Sequence, residues 1–363
     1  MQLASSFVSP ASFLVGSAVR VRQVRNGLFN RFMATAQENS REFQVIIYGA
    51  SGFTGEYVAE DFAKYLSKNR VSMKWAVAGR NESKVTSILR DIGTRTGLKL
   101  DDVAVVQADV SDVQSLNDMA KRTKVLLNCT GPYRDYGEPI VRACVSNSTN
   151  YLDITGEPQF METMQLNYHK EAEQNGIYIV SACGFDSIPC DIGVNFTRDN
   201  FDGKLKSVEG YLNVSESTGN ATTWDCVVEG FAHVNDLIAV RGKLFKELFS
   251  TVPKEETKLK RKTFLKYEDD RVAGWGLPFP GSDRSVVKRS QCFNFINYKE
   301  EPIAFEVYIV QRLISTILMF TMALYLMILT PYKWGRTLLK TYPTFFSFGL
   351  FKRSGITREE VRC

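Results

Sequence analysis

The run Gly49-Ala50-Ser51-Gly52-Phe53-Thr54-Gly55 sets three glycines in a G-x-x-G-x-x-G pattern. Such spacing suits one task. The first glycine allows a tight turn, the second lets a diphosphate approach the backbone, and the third lets a helix pack closely on the strand before it. Ser51, Gly52, Phe53, Thr54 and Gly55 then open a helix whose free N–H groups face the anion. A dinucleotide is the expected ligand. Its type is set at the end of the second strand, where enzymes that prefer NAD(H) place Asp or Glu for the ribose 2′-hydroxyl. Here that stretch is Ala78-Gly79-Arg80-Asn81. It holds no acid, and Arg80 is positioned to pair with a 2′-phosphate, so NADP(H) is expected over NAD(H). Asp109 ends the third strand and is expected at the adenine amino group. Asn128, Thr130 and Gly131 end the fourth and are expected near the nicotinamide ribose.

Three polar clusters follow strands of the same sheet: Gly131 to Gly137, Tyr151 to Glu157 and Cys183 to Pro189. Reduction by a nicotinamide needs a proton donor close to the carbon that is reduced. Tyr133, Asp153 and Asp186 are the candidate catalytic donors. Each has a plainer alternative in turn formation, and Asp186 with Ser187 has another as the N-cap of the helix that follows.

The elements that hold these residues alternate. Short apolar runs at Phe43–Gly49, Lys74–Ala78, Val103–Ala108, Lys124–Cys129, Tyr151–Ile154 and Ile177–Ala182 read as buried strands. Between them lie stripes such as Val85, Ile88, Leu89 and Ile92, at helical spacing. The fold class is α/β, a Rossmann-type doubly wound parallel sheet over residues 41–195. Residues 196–363 read as a second α+β domain for substrate or dimerisation, carrying a long hydrophobic helix; a homodimer is left open. Within it, 206–215 alternates like a half-exposed strand and 221–249 is helical. Residues 251–285 read as a charged surface connection, and Ser290–Asn297 and Ile303–Val310 as an antiparallel strand pair.

The chain has 363 residues, 45 Lys plus Arg against 40 Asp plus Glu, seven cysteines and two histidines. A net charge of +5 is too weak to call for nucleic acid. The cysteines form no C-x-x-C pair, and with two distant histidines no metal site or Ser-His-Asp triad is expected. A reducing, intracellular setting follows. Residues 1–40 carry four arginines and one acid and read as a disordered or mitochondrial-targeting leader. Leu313 to Thr330 is an uncharged run of 18 residues followed by Pro331, Tyr332, Lys333 and Trp334. Contact with a membrane or lipid surface is weighed there against burial in a core or a dimer interface.

The motifs YGASGFTG, VAGRNESK, NCTGPYRDYGEPIVRAC, NYLDITGE and CGFDSIPCDIG lie densely within 45–193. In these the chain resembles the saccharopine dehydrogenase-like oxidoreductases, animal members above all. The resemblance implies an NADP-binding Rossmann domain, an α+β domain and association with lipid droplets, membranes or mitochondria. Related bacterial members act as trans-acting enoyl reductases in glycolipid synthesis. Relative to the family, the first 40 residues are extra and the sequence stops several dozen residues early. The expected function is an NADPH-dependent reductase of a lipidic or acyl substrate. A catalytically silent NADP-binding scaffold or redox sensor is the rival, and an opine or amino-acid reductase is a third option.

Overall fold

A computed structural model describes residues 41–213, 219–249, 252–270 and 272–353. The expected leader, residues 1–40, lies outside them. The first part of the chain alternates β1 (Phe43–Tyr48), α1 (Phe53–Asn69), β2 (Trp75–Gly79), α2 (Glu82–Thr96), β3 (Ala104–Gln107), α3 (Val113–Lys121), β4 (Thr123–Asn128), α4 (Tyr133–Ser146), β5 (Asn150–Asp153), α5 (Pro158–Gln174) and β6 (Ile179–Val180). The six strands are all parallel, in the order β3-β2-β1-β4-β5-β6. Chain order therefore reverses between β1 and β4, where a crevice opens at the strands' carboxyl ends.

The strands are apolar because both faces are covered. Ile47 and Val77 pack with Ala59, Ala63, Val85, Leu89 and Ile92 of α1 and α2. Ile46, Ala76 and Leu126 pack on the other face with Leu116, Met119, Ile140, Val141, Phe160 and Met164 of α3, α4 and α5. Polar caps fix where helices begin. The Asn81 carboxamide oxygen accepts the Lys84 N–H at 2.9 Å to open α2, and Asp112 caps α3 through Gln114 and Ser115. Gly97, at φ +70°, closes α2.

The chain continues with α6 (Ile188–Asn200), β7 (Ser207–Leu212), β8 (Gly219–Asn220), α7 (Ala221–Ala232), α8 (Val234–Leu248), β9 (Leu265–Glu268), β10 (Ala273–Pro278), α9 (Asp283–Tyr298), β11 (Ala304–Gln311), α10 (Leu313–Leu329), α11 (Lys333–Thr341), α12 (Pro343–Phe346) and β12 (Phe351–Lys352). A second sheet has the order β7-β11-β10-β9. Its β7–β11 pair is parallel and its other pairs are antiparallel. Val194 of α6 and Val287 of α9 cover one face of this sheet with Phe305 and Val307.

Three expectations change here. Residues 290–297 belong to helix α9, not to a strand. Val287, Gln291 and Cys292 are buried while Phe293 is exposed, a helical period that the run of aromatics disguised. Residues 251–285 are more than a connection, since they supply β9 and β10. The hydrophobic segment forms α10 over 17 residues, about 25 Å at 1.5 Å per residue. Thr330 caps it and Pro331 follows, so it stops short of the roughly 20 residues that a span needs. Among the described residues, no helix is long and apolar enough to cross a membrane. Leu326 of α10 packs instead on Trp224, Val228 and Leu339, and Thr316 donates its hydroxyl to the Trp275 carbonyl at 3.0 Å.

Candidate active site

All the residues expected at the cofactor lie on or directly after β1 to β4, around the crevice. Gly49 has φ +84°, a left-handed conformation that favours glycine. At Gly55 a Cβ would sit 2.1 Å from the Gly49 carbonyl oxygen, so helix α1 starts against the turn with no room for a side chain. Gly52 caps α1 without a side-chain bond, and the first-turn N–H groups of Phe53, Thr54 and Gly55 point out of the helix end. The Thr130 hydroxyl is buried beside Gly49 with no hydrogen-bond partner among the described residues. A bare cradle, free amides and an orphaned hydroxyl fit the diphosphate and ribose of a dinucleotide.

Arg80 is exposed at the end of β2, with Asp109 past the end of β3. The Ser111 N–H and hydroxyl both donate to the Asp109 carboxylate, at 2.9 and 2.8 Å. Those bonds, and more weakly the Arg80 charge, hold Asp109 below the usual carboxylate range. Arg80 and Asp109 thus stand together past the ends of β2 and β3.

Asn128 is the last residue of β4. It is buried, its amide donates to the Tyr151 hydroxyl at 3.0 Å, and its oxygen accepts the Thr130 N–H at 2.9 Å. It shapes the turn from within and leaves the Thr130 hydroxyl unpaired beside Gly49. Tyr133 is buried too, and its hydroxyl donates to the Asn128 carbonyl at 2.8 Å. Burial pushes that phenol well above its ordinary range. Asp153 accepts the Thr155 N–H at 3.0 Å, the Ala182 N–H at 2.9 Å and the Ser181 hydroxyl at 3.0 Å. It ties the end of β5 to the loop after β6. Burial raises its pKa, and these donors oppose the rise.

The polar cluster 131–137 is largely the first turn of α4 rather than a loop. Its N-terminus is capped from outside: the Glu157 carboxylate accepts the Tyr133 and Arg134 N–H groups at 2.8 and 3.1 Å. In sequence Glu157 precedes Pro158 and reads as the start of its own helix. Nothing local signals that it serves a helix 24 residues upstream.

Asp186 and Ser187 do not cap α6 with their side chains. They reach the second sheet's helix α9 instead. Asp186 Oδ1 accepts the Ser282 N–H at 3.1 Å, and the Ser187 and Ser282 hydroxyls meet at 2.8 Å. Burial first, then the neighbouring Asp283 carboxylate, push Asp186 up to about 7.

A parallel 3-2-1-4-5-6 sheet with a glycine turn at its reversal point defines a Rossmann-type, dinucleotide-binding protein. Residues 45–180 match the family model for the saccharopine dehydrogenase NADP-binding domain, and NADP is the cofactor. The chain belongs to the saccharopine dehydrogenase-like oxidoreductase family. It is 38% identical over 338 residues to the human saccharopine dehydrogenase-like oxidoreductase, covering 91% of this chain and 77% of that one. It is 40% identical to the lipid droplet localized protein of Caenorhabditis elegans, covering 88% and 76%. A protein of Mycobacterium tuberculosis provisionally named a trans-acting enoyl reductase is 40% identical over 191 residues, 53% of this chain and 41% of that one.

Proposed function

We propose that the protein is an NADPH-dependent reductase of a lipidic acyl substrate, an enoyl group in the first instance, working at a lipid surface. NADPH, when bound, supplies a hydride. The observation that carries the cofactor half is the bare Gly49–Gly55 cradle beside the orphaned Thr130 hydroxyl. Arg80 would hold the 2′-phosphate. Of the three candidate donors, Tyr133 already gives its proton to a carbonyl, and Asp153 is a threefold acceptor. Those two position the crevice. Asp186 keeps a proton near neutral pH and is assigned as the donor to the substrate. The names of the mycobacterial and nematode relatives support an acyl substrate and a droplet surface.

Replacing Arg80 with Ser is expected to weaken NADPH binding about tenfold to a hundredfold, since a charge-assisted hydrogen bond contributes about 1.5–3 kcal/mol. NADH binding should not change. Fluorescence titration with both cofactors checks this, and equal losses for the two would remove Arg80 from the 2′-phosphate. Turnover against enoyl, keto and imino substrates separates a reductase from a silent scaffold. NADPH binding with no oxidation on any of them would favour the scaffold.

The surface half rests on α10 and the residues that follow it. Ile314 is 73% exposed, and Ile317, Leu324 and Ile328 are also exposed, all on one side of the helix at 3.6-residue spacing. Tyr332 and Trp334 stack at 5.8 Å just past the helix end, and Phe345 is 74% exposed. Aromatics beside Lys333 are suited to a headgroup boundary, with α10 lying in the surface rather than crossing it. Replacing Ile314, Ile317 and Ile328 together with Ser should cut co-flotation with phospholipid-coated triacylglycerol emulsions at least tenfold. Burying one such side chain contributes about 1.5–3 kcal/mol. Unchanged flotation would overturn the surface assignment.

A further inference from the structure

Asp283 is 1% exposed, and its carboxylate, buried without a well-formed donor among the described residues, is met only by the Asp186 carboxyl, the Cys190 thiol and its own backbone N–H. It opens α9, directly after Ser282. The group that acts on it across the junction of the two sheets is Asp186. Among the described residues no cation answers the pair. Arg284, the next residue in α9, bonds the buried Glu306 at 2.9 Å. Arg289, further along the same helix, bonds Gln165 at 2.7 Å and lies toward Asp191. From α6, the remaining group facing Asp283 is the Cys190 thiol, which burial pushes up to about 12 and so keeps protonated.

Two neighbouring buried carboxylates, with no counter-ion for either among the described residues, cannot both stay ionised. The fold also makes room for the arrangement. A Cβ at Gly281 would lie 2.1 Å from Asp186 Oδ1, and one at Gly156 2.7 Å from Oδ2. Glycines from both parts of the chain thus form the slot that the Asp186 carboxyl occupies. We propose that Asp186 and Asp283 share one proton, Asp283 being a positioning residue that keeps Asp186 a proton donor, a role that rests on the reductase function proposed above.

During reduction of an enoyl group, the hydride pair forms one new C–H bond. The π pair takes the shared proton from Asp186 to form the other. The carboxyl O–H bond breaks, leaving two adjacent carboxylates that regain a proton from solvent. Because Asp283 comes from the second part of the chain, the donor is complete only while the two parts are docked.

The test is a 13C NMR pH titration of the full chain labelled at its aspartate carboxyl carbons. One Asp carboxyl should hold its proton to near pH 7. In Asp283→Asn the amide can donate to Asp186 and favours its ionised form, so that titration should fall by more than about one pH unit. NADPH affinity should stay as it was. The alkaline limb of the pH–rate profile for an enoyl thioester should move down by the same amount, and Asp283→Glu should restore it.

The raised pKa of Asp186 makes stability depend on pH. The folded carboxyl holds its proton more tightly than the unfolded one, so its contribution is full below about pH 3.8 and is lost as pH rises to about 7. Asp283→Asn should flatten that slope in urea melts. If Asp283→Asn fails to fold, Asp186→Asn must by itself abolish the high titration. Wild type with no carboxyl titrating above the ordinary range, or Asp283→Asn leaving it unmoved, overturns the shared proton. Absence of NADPH oxidation by wild type overturns the reductase function, while the titration still decides the pair.

Discussion

Gly55→Ala should abolish measurable NADPH binding, a loss of at least about a hundredfold, and lower stability by about 1–3 kcal/mol. The added methyl would meet the Gly49 carbonyl oxygen at 2.1 Å, its carbon at 2.7 Å and the Ala50 Cα at 2.9 Å. All three are backbone atoms of the glycine turn, the proposed diphosphate cradle, so no flexible side chain can yield. Either α1 moves off the sheet or the turn opens, and both displace the free amides. The three glycines should rank in severity. At Gly49 the nearest obstacle is the Thr130 hydroxyl at 2.4 Å, which can rotate, but φ of +84° adds strain of its own. At Gly52 the nearest atom is 3.3 Å away, so Gly52→Ala should be mildest. Cofactor titration combined with denaturant melts tests the order. A Gly55→Ala protein with wild-type NADPH affinity would show that the dinucleotide lies elsewhere.

Arg241→Ala should destabilise the protein by about 3–5 kcal/mol, because it strips the partner from a buried charge. Glu162 of α5 is 1% exposed, and Arg241 of α8 binds both its oxygens, with Nε at 3.1 and 3.0 Å and Nη2 at 2.5 Å. The Ser285 hydroxyl of α9 adds a bond at 3.0 Å. The cluster joins α5 of the nucleotide-binding sheet to α8 and α9 of the second part. Its loss should loosen the junction that brings Ser282 and Asp283 to Asp186. Replacing both Glu162 and Arg241 with Met should recover most of the stability, since a fully apolar pair leaves no unpaired charge. Urea melts of the single and double variants measure this. A single variant within 1 kcal/mol of wild type would show that Glu162 finds another partner.

Much of the nucleotide-binding part was legible along the chain. β1, β2, β4 and the stripe Val85, Ile88, Leu89, Ile92 lie where hydrophobic period placed them, because a parallel sheet covered on both faces needs unbroken apolar strands. The glycine turn was readable for a similar reason. Its demands fall on residues at most six positions apart, so the chemistry is written in one stretch. The second part was less legible. The aromatics of 290–297 suit strand or helix equally, and the choice fell to helix because Val287 and Cys292 had to meet buried surfaces contributed from elsewhere.

Sequence by itself determined the Rossmann scaffold, the glycine turn at its reversal point and the NADP-binding family, because each is a local pattern of spacing and backbone freedom. Tertiary structure alone decided which polar residues are free to act. It placed the Tyr133 proton on a carbonyl, made Asp153 a tie between loops, and set Glu157 as the cap of a distant helix. It also put Asp283 beside Asp186, nearly a hundred positions away in the chain. The availability of a proton depends on what surrounds a group in space, and burial, donors and counter-charges for these residues come from segments that folding alone brings together.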